Sequence, residues 1–139
     1  MTLCPYYFKV EFEGKMSEKI FTTENQNLTI RVVESPNEVI LYWLGKCTLL
    51  YPSEFINPIF QEALSTGKKI VMNFLKLDYI TSSTFAPLIK LLNIVKANNG
   101  HIEILYDKLS DWQEHNFSAL NLFCTDDGRI RVTGVEPDI

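Results

Sequence analysis

At 139 residues, with 46% hydrophobic and 22% charged content, the chain has the size and composition of one globular domain built on one core. Its longest apolar runs, such as Val39-Ile40-Leu41-Tyr42-Trp43-Leu44, fall far short of the roughly 20 residues that cross a bilayer, so direct membrane insertion is not expected. The net charge of −4 conceals a basic middle third, where residues 68–100 carry five Lys against the single Asp78, too few for the Arg/Lys stripe that nucleic-acid binding requires.

The first residues, Met1-Thr2-Leu3-Cys4-Pro5-Tyr6, show no basic patch followed by an apolar stretch, so no secretory signal is expected and the cytoplasm is the expected compartment. Residues 1–27 read as an N-terminal extension packed on the core. Within it, Tyr6 to Phe12 can form an extra strand, and Ser17 to Thr22 either a helical turn or another strand. The main domain is expected over residues 28–139.

Leu28 to Val33 and Glu38 to Leu44 are β-rich runs joined by Ser35-Pro36-Asn37, a cluster short enough for an antiparallel hairpin, and Gly45 closes the second run. Ile56, Ile59, Phe60, Ala63 and Leu64 then recur three and four apart, the spacing of one helical face, up to Gly67. Pro58 gives this helix two possible starts: Asn57 caps a short helix with Pro58 in its first turn, or a longer helix is kinked at Pro58. Lys69 to Leu75 is a strand apolar on both faces, as in a central strand covered by helices. A second helix spans roughly Ser83 to Asn98 and stops at Asn98-Asn99-Gly100. The strand His101 to Tyr106, a weaker helix from Leu109 to Leu122, the turn Asp126-Asp127-Gly128 and the strand Arg129 to Thr133 complete the chain. The order β-β-α-β-α-β-α-β, plus the N-terminal extension, predicts an α/β fold with a mixed sheet and helices packed on it.

Most of the common chemistries lack their residues. His101 and His115 have no neighbouring ligands at metal-binding spacing, and Cys4, Cys47 and Cys124 form no Cys-x-x-Cys pair, so no metal site or disulfide framework is expected. The six glycines, at 14, 45, 67, 100, 128 and 134, are isolated, which removes the clustered backbone amides of a nucleotide-binding loop. There is no Gly-x-Ser-x-Gly elbow for a serine hydrolase. Asp126 and Asp127 beside Gly128 read as a turn, not as an acid–base pair. No cofactor and no catalysis are expected.

The informative segment is Thr81-Ser82-Ser83-Thr84, which follows the central strand and opens the second helix. One hydroxyl suffices to cap a helix; four in succession at its positive end also offer a target for phosphorylation. The helix that follows has an apolar arc of about 220° at 100° per residue, wider than a core-facing stripe needs. If Phe85, Leu88, Leu92 and Val95 point inward, Pro87, Leu91 and Ile94 form an exposed flank beside the turn, and such flanks mark partner surfaces.

In element order and in the segments Tyr79-Ile80-Thr81-Ser82-Ser83-Thr84-Phe85, Asn99-Gly100-His101-Ile102-Glu103-Ile104 and Phe117-Ser118-Ala119-Leu120-Asn121-Leu122-Phe123, the chain resembles the STAS domain family, the fold of bacterial anti-sigma factor antagonists. The resemblance covers about residues 28 to 133. In that family a hydrophobic-Asp-Ser-Ser-Gly turn begins a helix and its first serine is phosphorylated by a partner kinase. The resemblance therefore places the phosphorylated position at Ser82, with Thr81 and Ser83 as alternatives. Thr81 stands where the family usually has Asp and Thr84 where it has Gly. The SiaC-type regulatory phosphoproteins, with Asn-Thr-Ser-Ser at this turn, are at least as similar.

The resemblance implies a non-catalytic signalling protein that binds a serine/threonine kinase or an anti-sigma-type partner while Ser82 is free, with a protein phosphatase to reset it. Thr81, Ser83, Thr84, Pro87, Leu91 and Ile94 would make up the partner surface. The alternative is an unphosphorylated STAS scaffold or transporter-accessory module that holds a complex together.

Overall fold

The structure, a computed structural model, describes residues 16–137 and the backbone of residues 6–12. Cys4 and Gly14 lie outside the described residues. Seven strands form one sheet in sequence order: β1 (Tyr6–Phe12), β2 (Met16–Thr22), β3 (Leu28–Glu34), β4 (Glu38–Cys47), β5 (Lys69–Ile80), β6 (Ile102–Asp107) and β7 (Ile130–Val135). Strands β1 to β4 are antiparallel neighbours; β4 to β7 run parallel. Parallel neighbours need crossovers, supplied by helices α1 (Pro52–Ser65), α2 (Phe85–Ala97) and α3 (Asp111–Phe117), the last continued by a 3-10 segment, Ser118–Phe123.

Because the parallel strands follow one another in a single direction and such crossovers are right-handed, all three helices lie on one face of the sheet. Burial follows the strand period of two. Val39, Leu41 and Trp43 of β4, Ile70, Met72 and Phe74 of β5, and Ile102, Ile104 and Tyr106 of β6 are buried beneath the helices. Ile40, Tyr42 and Leu105, on the opposite face, are partly exposed. Strand β5 is therefore covered by helices on one side only. Its other-face residue Val71 is nonetheless buried, flanked in register by Ile40 and Glu103.

An aromatic chain ties the layers together. Phe74 stacks on Phe117 of α3 at 4.5 Å and touches Trp43 at 5.1 Å; Trp43 in turn meets Phe60 of α1, and Phe117 meets Phe85 of α2.

Several expectations change here. Of the two readings of Ser17 to Thr22, the structure takes the strand, and with β1 it continues the sheet through β2–β3 pairing. Helix α1 begins at Pro52, so Asn57 is not its cap. Pro52 fits the first turn, where its missing N–H has no intrahelical partner to lose. Pro58 lies inside the helix, at a typical cost of about 3 kcal/mol or more. Burial of Phe55, Ile56, Ile59, Phe60 and Ala63, at about 1.5–3 kcal/mol for each large apolar side chain, outweighs that cost. The weak third helix is shorter than the span from Leu109 to Leu122, ending at Phe117 and tightening to 3-10 geometry.

Nor does β4 end at Gly45. It passes through a register shift and continues to Cys47, because Gly45, with φ +94°, lets the backbone approach the carbonyl oxygen of Asn27 in the β2–β3 turn. A Cβ there would lie 2.1 Å from that oxygen, and Lys46 N–H donates to the same oxygen at 2.8 Å. Two stability outcomes follow, both read by chemical denaturation. Gly45→Ala should lower stability by about 2 kcal/mol or more through strain and collision. Phe117→Ala should lower it by about 3–5 kcal/mol through loss of a fully enclosed ring.

Candidate functional site

Strand β5 pairs with β6 only as far as Asn73–Leu105 but stays with β4 up to Cys47–Ile80. Its last residues thus project from the carboxyl end of the parallel strands, the edge where loops of open α/β sheets gather ligands and partners. Leaving β6 strands the carbonyls of Phe74 and Leu77, which a buried sheet cannot tolerate unpaired. Gln113 of α3, almost fully buried, resolves this. Its Nε2 donates to Phe74 O at 2.8 Å and Leu77 O at 2.9 Å, and its Oε1 accepts from the Asp107 N–H at 2.8 Å. The Tyr106 hydroxyl donates to Glu114 Oε2 at 3.1 Å and fastens the same helix to β6; burial and then that carboxylate push the Tyr106 pKa up.

The turn follows at once. Thr81 is extended, its N–H donating to Cys47 O at 3.1 Å, and its carbonyl accepts from the Thr84 N–H at 3.0 Å to close the 3-10 turn Ser82–Thr84. Three of the four hydroxyls are engaged with one another: Thr81 Oγ1 lies 3.0 Å from Ser83 Oγ and 3.2 Å from Thr84 Oγ1. Thr84 is buried and donates to the Sγ of Cys47 at 3.4 Å. None of these side chains caps a backbone amide of α2; the turn residues bond laterally instead. Ser82 differs from the other three. Like Ser83 it is exposed, but among the described residues its hydroxyl alone of the four has no hydrogen-bond partner.

The expected flank on α2 is corrected at two of its three positions. Pro87 and Leu91 are buried, because α1 packs against α2 and covers them with Phe60 and Leu64; Ile94 is partly exposed at the rim of that contact. Four exposed large apolar residues gather elsewhere on the same end of the molecule. Leu50 and Tyr51, before α1, are 80% and 67% exposed; Tyr79, at the end of β5, is 49%; Leu109, before α3, is 66%. Leu50, Tyr51 and Leu109 follow β4 and β6 on loops that share this edge with Ser82, and Tyr79, in the last stretch of β5 that pairs with β4, rests against Trp112 with ring centroids 6.4 Å apart.

Sequence reading had no periodicity signal for these residues, since each lies in or beside a connection. Their position at or after the ends of strands β4, β5 and β6 is the one signal that points to them.

Asp127 lies in the turn before β7. A hydrogen bond from the Thr125 hydroxyl, then those from Arg129, hold its carboxyl well below the usual carboxylate range, so it stays ionised as a turn-former. Among the described residues no group of three His, Cys, Asp or Glu converges for a metal ion, and no helix is long and apolar enough to cross a membrane.

No family model matches the chain, and no curated protein matches it. Among solved structures it is similar to an uncharacterized protein of the DUF3478 family with a SpoIIAA-like fold from Shewanella loihica PV-4. The TM-score is 0.51 at 18% identity, covering 77% of this chain and 85% of that one. The fold is therefore SpoIIAA-like, the architecture of STAS domains and anti-sigma factor antagonists.

The Gln113 clamp carries a direct test. Gln113→Ala leaves two carbonyls and one N–H unpaired and should cost about 2 kcal/mol or more in urea denaturation. Hydrogen exchange should rise first along residues 74–81, and a loss spread evenly over the sheet would count against the clamp.

Proposed function

We propose that this chain is a non-catalytic, cytoplasmic signalling protein of the anti-sigma factor antagonist type. It binds a serine/threonine kinase or anti-sigma-type partner and is switched by reversible phosphorylation at Ser82. What supports this reading is the contrast within the turn: Thr81, Ser83 and Thr84 are bonded to one another, while the Ser82 hydroxyl is exposed and uncommitted. A kinase can reach that oxygen without dismantling the turn. Thr81 and Ser83, the alternatives at sequence level, would each have to break a hydroxyl contact first.

A phosphate there adds about −1.5 to −2 charges at the positive end of α2, which has no acidic residue in its first turn. Beside the apolar rim of Leu50, Tyr51, Tyr79 and Leu109, that charge would have to be desolvated when a partner docks. Phosphorylation thus disfavours an apolar interface without changing the fold. A phosphatase then restores the docking state. The SpoIIAA-like fold is consistent with this use.

A second reading, an unphosphorylated scaffold or transporter-accessory module, rests on the hydroxyl network itself, which already gives Thr81, Ser83 and Thr84 a structural role. The two separate by intact mass of protein from native cells. A switch yields a species heavier by about 80 Da that disappears in Ser82→Ala, and a scaffold yields none. With the partner recovered by pulldown, Ser82→Asp should bind about tenfold or more weakly than Ser82→Ala. Equal affinities would remove the switch.

A further inference from the structure

Strand β7 ends the sheet on the side opposite β1, with β6 as its one strand partner. In a parallel pair, alternate residues of each strand turn their N–H and C=O groups toward the neighbour. The Ile102 N–H donates to Arg129 O at 2.8 Å and the Lys108 N–H to Val135 O at 3.0 Å, so Arg129, Arg131, Thr133 and Val135 face β6 with their backbone groups. Those of Ile130, Val132 and Gly134 point the other way. Ile130 is satisfied there: its N–H donates to Thr125 Oγ1 at 3.1 Å, and its carbonyl accepts from the Thr125 N–H at 3.2 Å. Among the described residues, nothing pairs with the outward N–H and C=O groups of Val132 and Gly134.

Bulges and prolines are two of the devices that keep open edges apart, and β7 has neither. Neither Val132 nor Gly134 is buried. Beside them, the 3-10 segment Ser118–Phe123 packs on β7 and carries Leu122, which is 77% exposed.

We propose that a second copy of this chain occupies this edge, its β7 running antiparallel across a two-fold axis at Thr133, so that the two sheets join into one. The four unpaired groups select that geometry. With Thr133 opposite Thr133 of the second copy, each Val132 faces a Gly134. Outward-facing residues that oppose each other in an antiparallel pair exchange both of their hydrogen bonds, so four bonds form and no group is left over. An axis at Val132 would set Gly134 against Ile130, already bonded to Thr125, and an axis at Gly134 would set Val132 against Glu136, beyond the strand. Charge agrees with the antiparallel order. Arg131, without an ion pair among the described residues, moves toward the end of the second strand, where Glu136 has only an exposed contact with Lys108. A parallel copy would place Arg131 against Arg131. An extended segment of an unrelated protein could use the same backbone groups, but the two-fold match about Thr133 favours a second copy.

Sedimentation equilibrium of the whole chain tests this. The mass should rise with concentration from one copy to two and stop there. Thr133→Lys and Thr133→Glu each place like charges opposite one another on the axis and should each weaken the dimer about fivefold or more, whereas an equal mixture of the two variants, in which Lys meets Glu, should restore it. Val132→Pro removes one outward N–H from each copy while leaving the bonds to β6 in place, and should weaken the dimer about tenfold or more. Each variant is first shown folded by its melting transition, and the axis and edge variants stand in for one another if one does not fold. A chain that stays monomeric up to about 1 mM, a mass that climbs past two copies, full affinity in the folded variants, or a Lys/Glu mixture no tighter than either variant alone would overturn the proposal.

Discussion

Strand β5 loses its pairing with β6 at Asn73 while keeping its pairing with β4 to Ile80, and everything distinctive about this molecule depends on how that divergence is stabilised. A strand that parts from a neighbour inside a protein strands backbone carbonyls, and each one left unpaired costs about 1–3 kcal/mol. Gln113 answers with a donor pair and an acceptor on one planar amide, a combination that only Gln and Asn side chains provide, and Gln has the longer reach. The strand end it supports leads directly to Ser82.

That support reaches β5 from both of its flanks. On one, α3 is held to β6 by Tyr106 and Glu114 and to the core by Phe117, so the amide of Gln113 cannot swing away. On the other, Cys47 at the end of β4 receives the Thr84 hydroxyl at its sulfur and the Thr81 N–H at its carbonyl. A glycine at 45 lets β4 reach that far while passing close beneath the β2–β3 turn. The turn is therefore preorganised by three strands and a helix, with one hydroxyl left over. Rigid surroundings around one uncommitted group favour a switch that alters charge over one that alters shape.

Much of the fold was legible from local pattern. The helix from Ser83 to Asn98 and its stop at Asn99-Gly100, the strands over residues 28–33, 38–44, 69–75 and 101–106, and the parallel crossovers all carry short-range signals: period, turn residues and helix stops. Asn99 takes the positive φ that such a stop requires. The start of α1 was less legible, because Pro58 argues locally against a helix that burial of Phe55 and Ile56 decides in its favour. Residues 16–22 were ambiguous for the same reason, since a half-buried strand is defined by the partners it pairs with.

By itself the sequence determined that a hydroxyl-rich turn joins a central strand to an amphipathic helix, because strand period, helix period and the turn composition are all read within a few residues. Only the tertiary structure decided which hydroxyl is free and which apolar residues face outward. A helical arc of about 220° states how much surface is apolar but not what covers it. Here α1 covers Pro87 and Leu91, and the exposed rim falls instead to Leu50, Tyr51, Tyr79 and Leu109, residues distant in sequence that the parallel crossovers bring to a single edge. Likewise, four adjacent hydroxyls look equivalent along the chain. Contact with Cys47, 37 positions earlier, is what buries Thr84, and the network it anchors leaves Ser82 exposed to solvent.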